Sequence, residues 1–232
     1  MEITQLKHLR TKYKLLRVWR RILAVLFPER CPYCNKVIEF EEASCETCAK
    51  GLFRDPLKKN ASGGYPCVSA VPYNDPYKNG IWGLKFSDSV QFAPQLARVM
   101  AKAIEKSYRT DEIDVLTFIP LHPKRQRERG YNQSELLARE LSYLLEIPLE
   151  SLLVKTKNNP PQHETEAANR HENVKGVYEV KDKASVTGKR ILLIDDIITT
   201  GSTLGEAAKM LTLAGAEQVF CATFACVVAK TT

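Results

Sequence analysis

The sequence contains few of the signals that place a protein across a membrane. Near the N-terminus the longest apolar run is residues 22–27, far shorter than the roughly 18 residues of a membrane-spanning helix. That run leads into Pro28, Glu29 and Arg30 and not into the small residues of a signal-peptide cleavage site. We therefore expect no membrane span. The expected location is the cytoplasm, where the protein could also lie at the inner face of the membrane.

The sequence also lacks a Gly-Lys-Ser or Gly-Lys-Thr phosphate loop, an internal repeat and a low-complexity tract. The first absence argues against nucleoside triphosphate hydrolysis by a P-loop protein. The other two argue against a repeat architecture and against disorder. With 232 residues, of which 44% are hydrophobic, the chain is long enough to bury one full core and to carry a small appendage.

The net charge of +7 is concentrated at the N-terminus. Residues 1–30 contain eight Lys and Arg against two Glu, which gives +6 and leaves +1 for the rest of the chain. Apolar residues recur at mostly helical spacing between positions 15 and 26, so residues 1–30 are predicted to form a basic amphipathic helical arm. Three interpretations stay open: the apolar side packs on the core with the arginines in solvent, or the arm contacts nucleic acid, or it lies on a membrane surface.

The seven cysteines favour metal binding or free thiols over disulfides in a reducing compartment. Cys31 and Cys34 form one CxxC pair, and Cys45 and Cys48 form a second. Each CxxC turn directs two sulfurs towards one point, and four thiolates make a closed tetrahedral site of the structural zinc type. We predict a zinc-binding ribbon over residues 31–60, with a redox dithiol as the alternative.

The rest of the chain alternates strand-like and helix-like segments. Polar, glycine-rich residues 58–64 predict a boundary or an exposed loop, so the core domain is expected over residues 65–232. The alternation predicts an α/β fold with a parallel sheet flanked by helices. Strands are predicted at residues 67–73, 114–120, 152–155, 191–194 and 218–225, and helices at residues 76–86, 91–108, 132–146 and 202–213.

The segment with the clearest sign of a ligand site is residues 191–203, ILLIDDIITTGST. Its four apolar residues predict a central strand whose carboxyl end opens into the crevice where α/β sheets bind ligands. Asp195 and Asp196 follow, and a hydroxyl-rich turn with Gly201 then leads into a helix whose N-terminus suits a phosphate. In the alternative interpretation the acids merely cap a helix, but adjacent acids at a strand end are costly to bury without a ligand or cation.

This segment resembles the phosphoribosyl pyrophosphate (PRPP) motif of type I phosphoribosyltransferases. The resemblance implies that Asp195 and Asp196 hold the ribose 2′- and 3′-hydroxyls of PRPP, bound with Mg²⁺, or of another phosphorylated sugar or nucleotide. It also implies that the turn cradles the 5′-phosphate through Thr199, Thr200, Gly201, Ser202 and Thr203. The sequence assigns no general base and no other catalytic residue.

A basic loop is predicted after the strand at residues 114–120. If it faces the same crevice, its cations would contact pyrophosphate or DNA, whereas a solvated basic turn is the alternative. His122 is predicted to bind phosphate or to cap the turn. The four cations of the loop are Lys124, Arg125, Arg127 and Arg129.

Residues 155–173 contain two prolines, no apolar run and several groups suited to contacting an anion. This composition predicts a flap that closes over a ligand, or else a plain surface loop. The candidate contacts are Lys155, Lys157, Gln162 and Arg170.

Taken together, these segments resemble the ComF family of competence-associated proteins. The resemblance extends from about residue 26 to the C-terminus and rests on LFPERCPYC, the second CxxC, GLKF, PLHPKRQRERGYNQSELLA, PPQ, RHENVKG and LLIDDIITTGSTL. In that family a zinc-binding module precedes a phosphoribosyltransferase-like domain, and members are implicated in uptake of transforming DNA. Asn159 and Thr165 depart from the family pattern within the flap, which puts catalytic closure in more doubt than ligand binding.

Two functions follow from these patterns. The first is a ComF-like protein that binds PRPP with Mg²⁺ and takes part in DNA uptake during natural transformation. It would bind single-stranded DNA, with Trp19, Tyr33 or Tyr131 as stacking platforms, and would work with competence-machinery proteins such as a DNA helicase or translocase. The second is an active phosphoribosyltransferase in nucleotide salvage or metabolism. We favour the first because no segment predicts a pocket for a specific base.

Overall fold

The computed structural model describes residues 3–52, 55–86, 90–157 and 176–228. Its centre is a five-stranded sheet in the order β1-β2-β7-β6-β3, beside a two-stranded sheet of β4 and β5. The strands are β1 (Leu57–Asn60), β2 (Pro66–Pro72), β3 (Val115–Phe118), β4 (Leu153–Lys155), β5 (Tyr178–Val180), β6 (Arg190–Ile198) and β7 (Gln218–Cys226). The α-helices are α1 (Ile3–Leu26), α2 (Glu46–Ala49), α3 (Lys78–Phe86), α4 (Ala93–Glu105), α5 (Pro123–Arg129), α6 (Gln133–Leu145) and α7 (Ser202–Leu213).

The central sheet is parallel except at one edge, where β1 runs antiparallel to β2. Helices cover both faces of β6. Leu192 and Ile194 belong to the core cluster formed with α3, α4 and α6, whereas Ile191 and Leu193 belong to the cluster formed with α7. All four side chains are fully buried, as expected of a central parallel strand. The predicted α/β fold with a parallel sheet flanked by helices is confirmed.

The strand β6 is longer than the sequence predicted, and this difference creates the crevice. Its partner β7 accompanies it as far as Ile198, but β3 on its other side ends at Phe118, opposite Ile194. Asp195 and Asp196 therefore lie within the strand and not after it, on a stretch with β7 as its only sheet neighbour among the described residues. Because the side chains of a strand alternate, the two carboxylates leave β6 on opposite faces.

Two short strands were not predicted. Residues 57–60 were assigned partly to a boundary loop, yet they form β1 at the edge of the main sheet. Likewise β5 was missed, and it pairs with β4 outside the main sheet. Both strands have only three or four residues, and β1 contains two lysines, so the sequence shows no alternation long enough to recognise.

The turn that leads into α7 packs directly against the β1–β2 hairpin. Gly201 has a left-handed φ of 81°, and a Cβ there would lie 2.8 Å from the Cα of Ala61. A Cβ on Gly205 would lie 2.2 Å from the carbonyl oxygen of Ser62. Only glycine permits this close approach. The β1–β2 hairpin, whose first strand was not predicted, therefore lies directly against the turn.

The N-terminal arm is helical, as predicted. Its basic side contacts the body, whereas the first interpretation had its apolar side packed on the core. Arg17 forms an ion pair with Glu41, and Arg20 forms a bidentate pair with Glu140 on α6 at 2.6 and 2.7 Å. Tyr13 stacks on Tyr143, with 5.3 Å between the ring centroids. Most of the apolar side chains between Leu15 and Leu26 are exposed instead, although Leu16 is half-buried. No helix within the described residues is long and apolar enough to cross a membrane.

The four cysteines of the two CxxC pairs meet at one point. Their sulfur atoms all lie within 4.8 Å of one another, close to the edge of about 3.8 Å that a tetrahedron with Zn–S bonds of about 2.3 Å would have. The first knuckle is closed by hydrogen bonds from Cys31 N–H to the Lys36 carbonyl and from Asn35 N–H to the Cys31 carbonyl. Asn35 occupies the left-handed conformation that asparagine tolerates. The arrangement fits a closed structural zinc site.

Substitution of Cys45 by serine should therefore release the metal. We expect about one zinc per chain in the purified protein and loss of most of it in Cys45→Ser, because three thiolates no longer complete the site. Metal content is measured by mass spectrometry of the protein after gel filtration. The matched control is Cys226→Ser, a buried thiol at the end of β7, which should keep its zinc. Equal zinc in Cys45→Ser and the unsubstituted protein would show that these sulfurs do not hold the ion.

Candidate functional site

The crevice lies where β3 ends beside β6. Four elements surround it: the carboxyl end of β6, the C-terminal end of α3, the start of α6 and the turn before α7. This is the position where open α/β sheets bind ligands. The residues that were predicted from the sequence to contact a ligand are Asp195, Asp196, the turn at residues 199–203 and several cations, and the structure brings only part of this set together.

Asp196 is neutralised by a lysine that the ligand-site prediction did not include. The ammonium of Lys85, at the C-terminal end of α3, lies 2.7 Å from the Asp196 carboxylate, and both side chains are largely buried. Burial alone would lower the pKa of Lys85, but the attraction of Asp196 outweighs it, so that the pKa of Lys85 is raised. Asp196 and Lys85 thus form a largely buried ion pair.

Asp195 has neutral partners instead. Its Oδ1 accepts a hydrogen bond from the Ser134 hydroxyl at 2.8 Å and another from the Asp196 N–H at 2.9 Å. Burial, followed by repulsion from Asp196, raises the pKa of Asp195 to about 7 despite these two bonds. The two adjacent acids are therefore unequal at neutral pH: Asp196 is paired with a cation, and Asp195 is balanced between its two protonation states.

The turn after β6 presents hydroxyls and backbone N–H groups at the start of α7. The hydroxyls of Thr200 and Ser202 lie 2.9 Å apart, and the Ser202 N–H points at the Thr200 hydroxyl at 3.4 Å. Thr200 is exposed, whereas Thr199 and Thr203 are half-buried. Such a turn before a helix of twelve residues can accept a phosphate from solvent.

A second lysine that was not predicted, on β1, holds this turn by hydrogen bonds. Lys59 on β1 donates to the carbonyl oxygen of Thr199 at 2.5 Å and to that of Val227 at 3.4 Å. Sequence reasoning missed Lys59, Lys85 and Ser134 for different reasons. Lys85 lies in the GLKF segment and Ser134 in the YNQSELLA segment, which indicate the family but do not by themselves indicate a contact with an acid. Lys59 lies in no segment that predicts a site.

The predicted basic loop is a short helix, α5, and its cations point in different directions. His122 caps this helix, its Nδ1 accepting from the Lys124 N–H at 3.3 Å, which is one of its two predicted roles. Arg129 donates to the Gln133 side chain at 2.9 Å. Lys124 and Arg127 are exposed, and Arg125 is half-buried.

Lys155 is the last residue of β4, and its side chain packs over β5. Its ammonium lies 5.7 Å from the centroid of the buried Tyr178 ring. Burial and the charge of Arg125 lower the pKa of Lys155, and Asp195 partly opposes them. These interactions place Lys155 near both a cation of α5 and the acidic pair. Lys157 is exposed at the end of the described stretch, and the other two predicted flap contacts, Gln162 and Arg170, lie outside the described residues.

The three aromatic residues predicted as stacking platforms fare differently. Tyr33 is buried, with 3% of its surface exposed, so it cannot stack on a base. Tyr131 is half-buried and donates its hydroxyl to the Leu84 carbonyl at 2.8 Å. Trp19 on α1 is 64% exposed. Of the three rings, Trp19 alone offers a largely free face.

Comparison with known families agrees with this architecture. Residues 87–232 match the phosphoribosyl transferase domain family, and residues 22–59 match the double zinc ribbon domain family. The first match covers more than half of the chain and includes both the acidic pair and the turn after it.

Named relatives cover most of the chain. It is 30% identical over 194 residues to competence protein F of Haemophilus influenzae, covering 82% of this chain and 81% of that protein. It is 29% identical over 202 residues to DNA utilization protein YhgH of Escherichia coli, covering 82% and 88%. It is 31% identical over 183 residues to competence protein ComFC of Bacillus subtilis, covering 78% and 70%. With a double zinc ribbon ahead of a phosphoribosyl transferase domain and relatives of this kind, the chain belongs to the ComF family.

Proposed function

We propose that this protein binds PRPP with Mg²⁺ in the crevice at the end of β6 and takes part in DNA uptake during natural transformation. The observation that carries the proposal is the adjacent pair of half-buried Asp195 and buried Asp196, placed beside a hydroxyl-rich turn that opens α7. Two adjacent carboxylates in a crevice destabilise the fold unless a ligand or cation binds them. A sugar phosphate would contact both the carboxylates and the turn.

The two carboxylates suit a ribose diol. Asp196 forms an ion pair with Lys85, and its carboxylate oxygens are of the kind that accept a hydrogen bond from a hydroxyl. Asp195 uses Oδ1 for its two observed hydrogen bonds, and within the described residues no bond to Oδ2 is found, which leaves that oxygen for a ligand. The turn at residues 199–203 lies next along the chain, where the 5′-phosphate of the same sugar would meet the start of α7.

The residues of the crevice also fit the Mg²⁺ that would accompany PRPP. Mg²⁺ is a hard cation that proteins usually hold through one or two carboxylates together with substrate phosphates. Asp195 and Asp196 would supply the carboxylates, and the bound ion would neutralise charge on the pyrophosphate. Lys155, which interacts electrostatically with Asp195 and with Arg125, is a further cation for that group.

The DNA part of the proposal rests on the names of the relatives and on exposed positive charge. Two of the relatives are named as competence proteins, and YhgH is named as a DNA utilization protein. On this chain Lys124 and Arg127 are exposed on α5. Single-stranded DNA is bound chiefly through such cations on its phosphates.

Removal of both carboxylates should abolish PRPP binding. In calorimetric titrations with PRPP and Mg²⁺ we expect saturable binding by the unsubstituted protein and a loss of at least about 100-fold in Asp195→Asn/Asp196→Asn, because two hydrogen bonds to charged groups disappear. The asparagines keep the shape of the site, and a thermal unfolding scan checks the fold. Asp111→Asn/Glu112→Gln, an adjacent acidic pair elsewhere of which Asp111 is exposed and Glu112 half-buried, is the matched control. Equal affinity in all three proteins would refute the PRPP site.

The affinity for PRPP should also rise with pH. The pKa of Asp195 is about 7, above its ordinary value, so most of this group is protonated at pH 6 and most is ionised at pH 8. Because the ionised form accepts a hydroxyl, we expect affinity to increase by up to about tenfold over this range and then to level off. Asp195→Asn should flatten the profile above pH 6.5, where phosphate groups with a second pKa near 6 contribute little. A slope that survives this substitution would assign the titration to another group.

Single-stranded DNA binding should depend on α5 more than on the arginines that anchor the arm. We expect the slope of log affinity against log salt to become shallower by about 1.4 in Lys124→Gln/Arg127→Gln, since each lost phosphate contact contributes about 0.7. The measurement is fluorescence anisotropy of a labelled oligonucleotide at several salt concentrations. Lys183→Gln/Lys209→Gln, at exposed positions elsewhere, serves as the control. An unchanged slope in the α5 variant would remove that helix from the interface.

A further inference from the structure

The outward face of α1 is an exposed apolar surface that neither the proposed PRPP site nor the zinc ribbon uses. Leu15 is 61% exposed, Trp19 64% and Leu26 73%. Val18, Ile22 and Val25 lie between them and are each more than half exposed. We call these six residues the α1 stripe. Soluble proteins rarely leave so continuous an apolar surface in water without a partner.

The opposite face of α1 is already occupied. At 100° per residue, Tyr13, Arg17 and Arg20 lie on the side away from the stripe, and all three are in contact with the body through Tyr143, Glu41 and Glu140. The bidentate pair of Arg20 is partly buried and well formed, which favours a fixed orientation. The helix is thus fastened by its polar side, and the stripe must face outwards.

The charge of α1 identifies the kind of surface that would cover the stripe. The helix contains seven Lys and Arg and no Asp or Glu. Two of these cations are taken by Glu41 and Glu140, whereas Lys14 and Arg21 are exposed beside the stripe. Within the described part of the chain neither forms an ion pair. The complement of such a face is an apolar layer bordered by negative charge.

The shape of the stripe favours a plane over a groove. At 100° per residue its members cover roughly 120° of the helix circumference. This is the breadth of a helix face lying on an extended surface, whereas a helix partner needs only a narrow seam. A second copy of this chain is disfavoured because two arms without acids would face each other with like charges. Single-stranded DNA is disfavoured because five of the six side chains are aliphatic and offer no stacking face.

We infer that α1 lies flat on an anionic lipid surface, with the α1 stripe in the boundary between headgroups and acyl chains. Trp19 suits this position because its ring is apolar and its N–H can stay in the wet layer. Lys14 and Arg21 would lie at the level of the lipid phosphates. This surface is separate from the crevice and from the zinc ribbon, so binding to lipid and binding of PRPP can succeed or fail independently.

The test is co-sedimentation of the full chain with vesicles of phosphatidylcholine alone and of phosphatidylcholine with one quarter phosphatidylglycerol. We expect binding to the anionic vesicles and a decrease of at least about tenfold in Val18→Gln/Ile22→Gln, which removes apolar contact from exposed positions. Lys14→Gln/Arg21→Gln should bind anionic vesicles about 25-fold more weakly, because each basic residue contributes about fivefold, and should be unchanged on phosphatidylcholine. The control Val37→Gln/Leu213→Gln changes two exposed apolar residues elsewhere and should bind like the unsubstituted protein.

Trp19 supplies a second readout. The chain has two tryptophans, so in a Trp82→Phe background the emission reports on Trp19 alone and should shift to shorter wavelength on anionic vesicles. Vesicle binding that is unchanged in Val18→Gln/Ile22→Gln would overturn the inference. Two further outcomes for Val18→Gln/Ile22→Gln would overturn it as well. If this variant keeps vesicle binding but loses a concentration-dependent dimer in sedimentation, the stripe binds a second copy of the chain. If it keeps vesicle binding but loses single-stranded DNA binding, the stripe binds nucleic acid.

Discussion

The arrangement of the crevice depends on how two adjacent carboxylates are kept at the end of a buried strand. Alternation along β6 sends Asp196 to one face and Asp195 to the other, so each needs a separate partner. Asp196 takes the ammonium of Lys85 from α3, and Asp195 takes the hydroxyl of Ser134 from the start of α6. Two helices that are distant in sequence are thereby fixed around one ligand site. Only one of the two partners is charged and it pairs with Asp196, whereas burial and repulsion from Asp196 raise the pKa of Asp195.

The helix α6 connects the crevice to the N-terminal arm. Its first turn holds Ser134 against Asp195, and its later turns carry Glu140 and Tyr143, which hold Arg20 and Tyr13 of α1. The same helix therefore sets the position of an acid in the site and the orientation of the arm. A cation of the arm is used as an anchor and not as a free contact for phosphate, which makes the exposed cations of α5 better candidates for DNA than Arg17 or Arg20.

Much of this organisation was predictable from local sequence. The four apolar residues before Asp195 and the glycine in the turn after Asp196 dictate a buried strand and a sharp entry into α7, and two CxxC pairs dictate one metal site. The end of β6 was not predictable, because whether a strand continues through two acids depends on β7 remaining beside it. Lys59 and Lys85 were missed because a lysine that binds a carbonyl or a carboxylate across the fold has the same local sequence as one in solvent. The strands β1 and β5 exist through pairing, which their three or four residues do not reveal.

The orientation of α1 shows the limit of an amphipathic pattern. A helix with one apolar and one basic face gains from burying either face, and the periodicity alone states only that the faces differ. The choice is made by Glu41 and Glu140, which lie 24 and 120 residues beyond their arginine partners, and by the stacking of Tyr13 on Tyr143. Once these contacts bind the basic face, every apolar side chain opposite must remain in water unless another surface covers it. The ion pairs that hold the arm on the body thus leave the α1 stripe exposed, which is unfavourable in water. This cost is removed when the stripe meets an apolar surface in the cell.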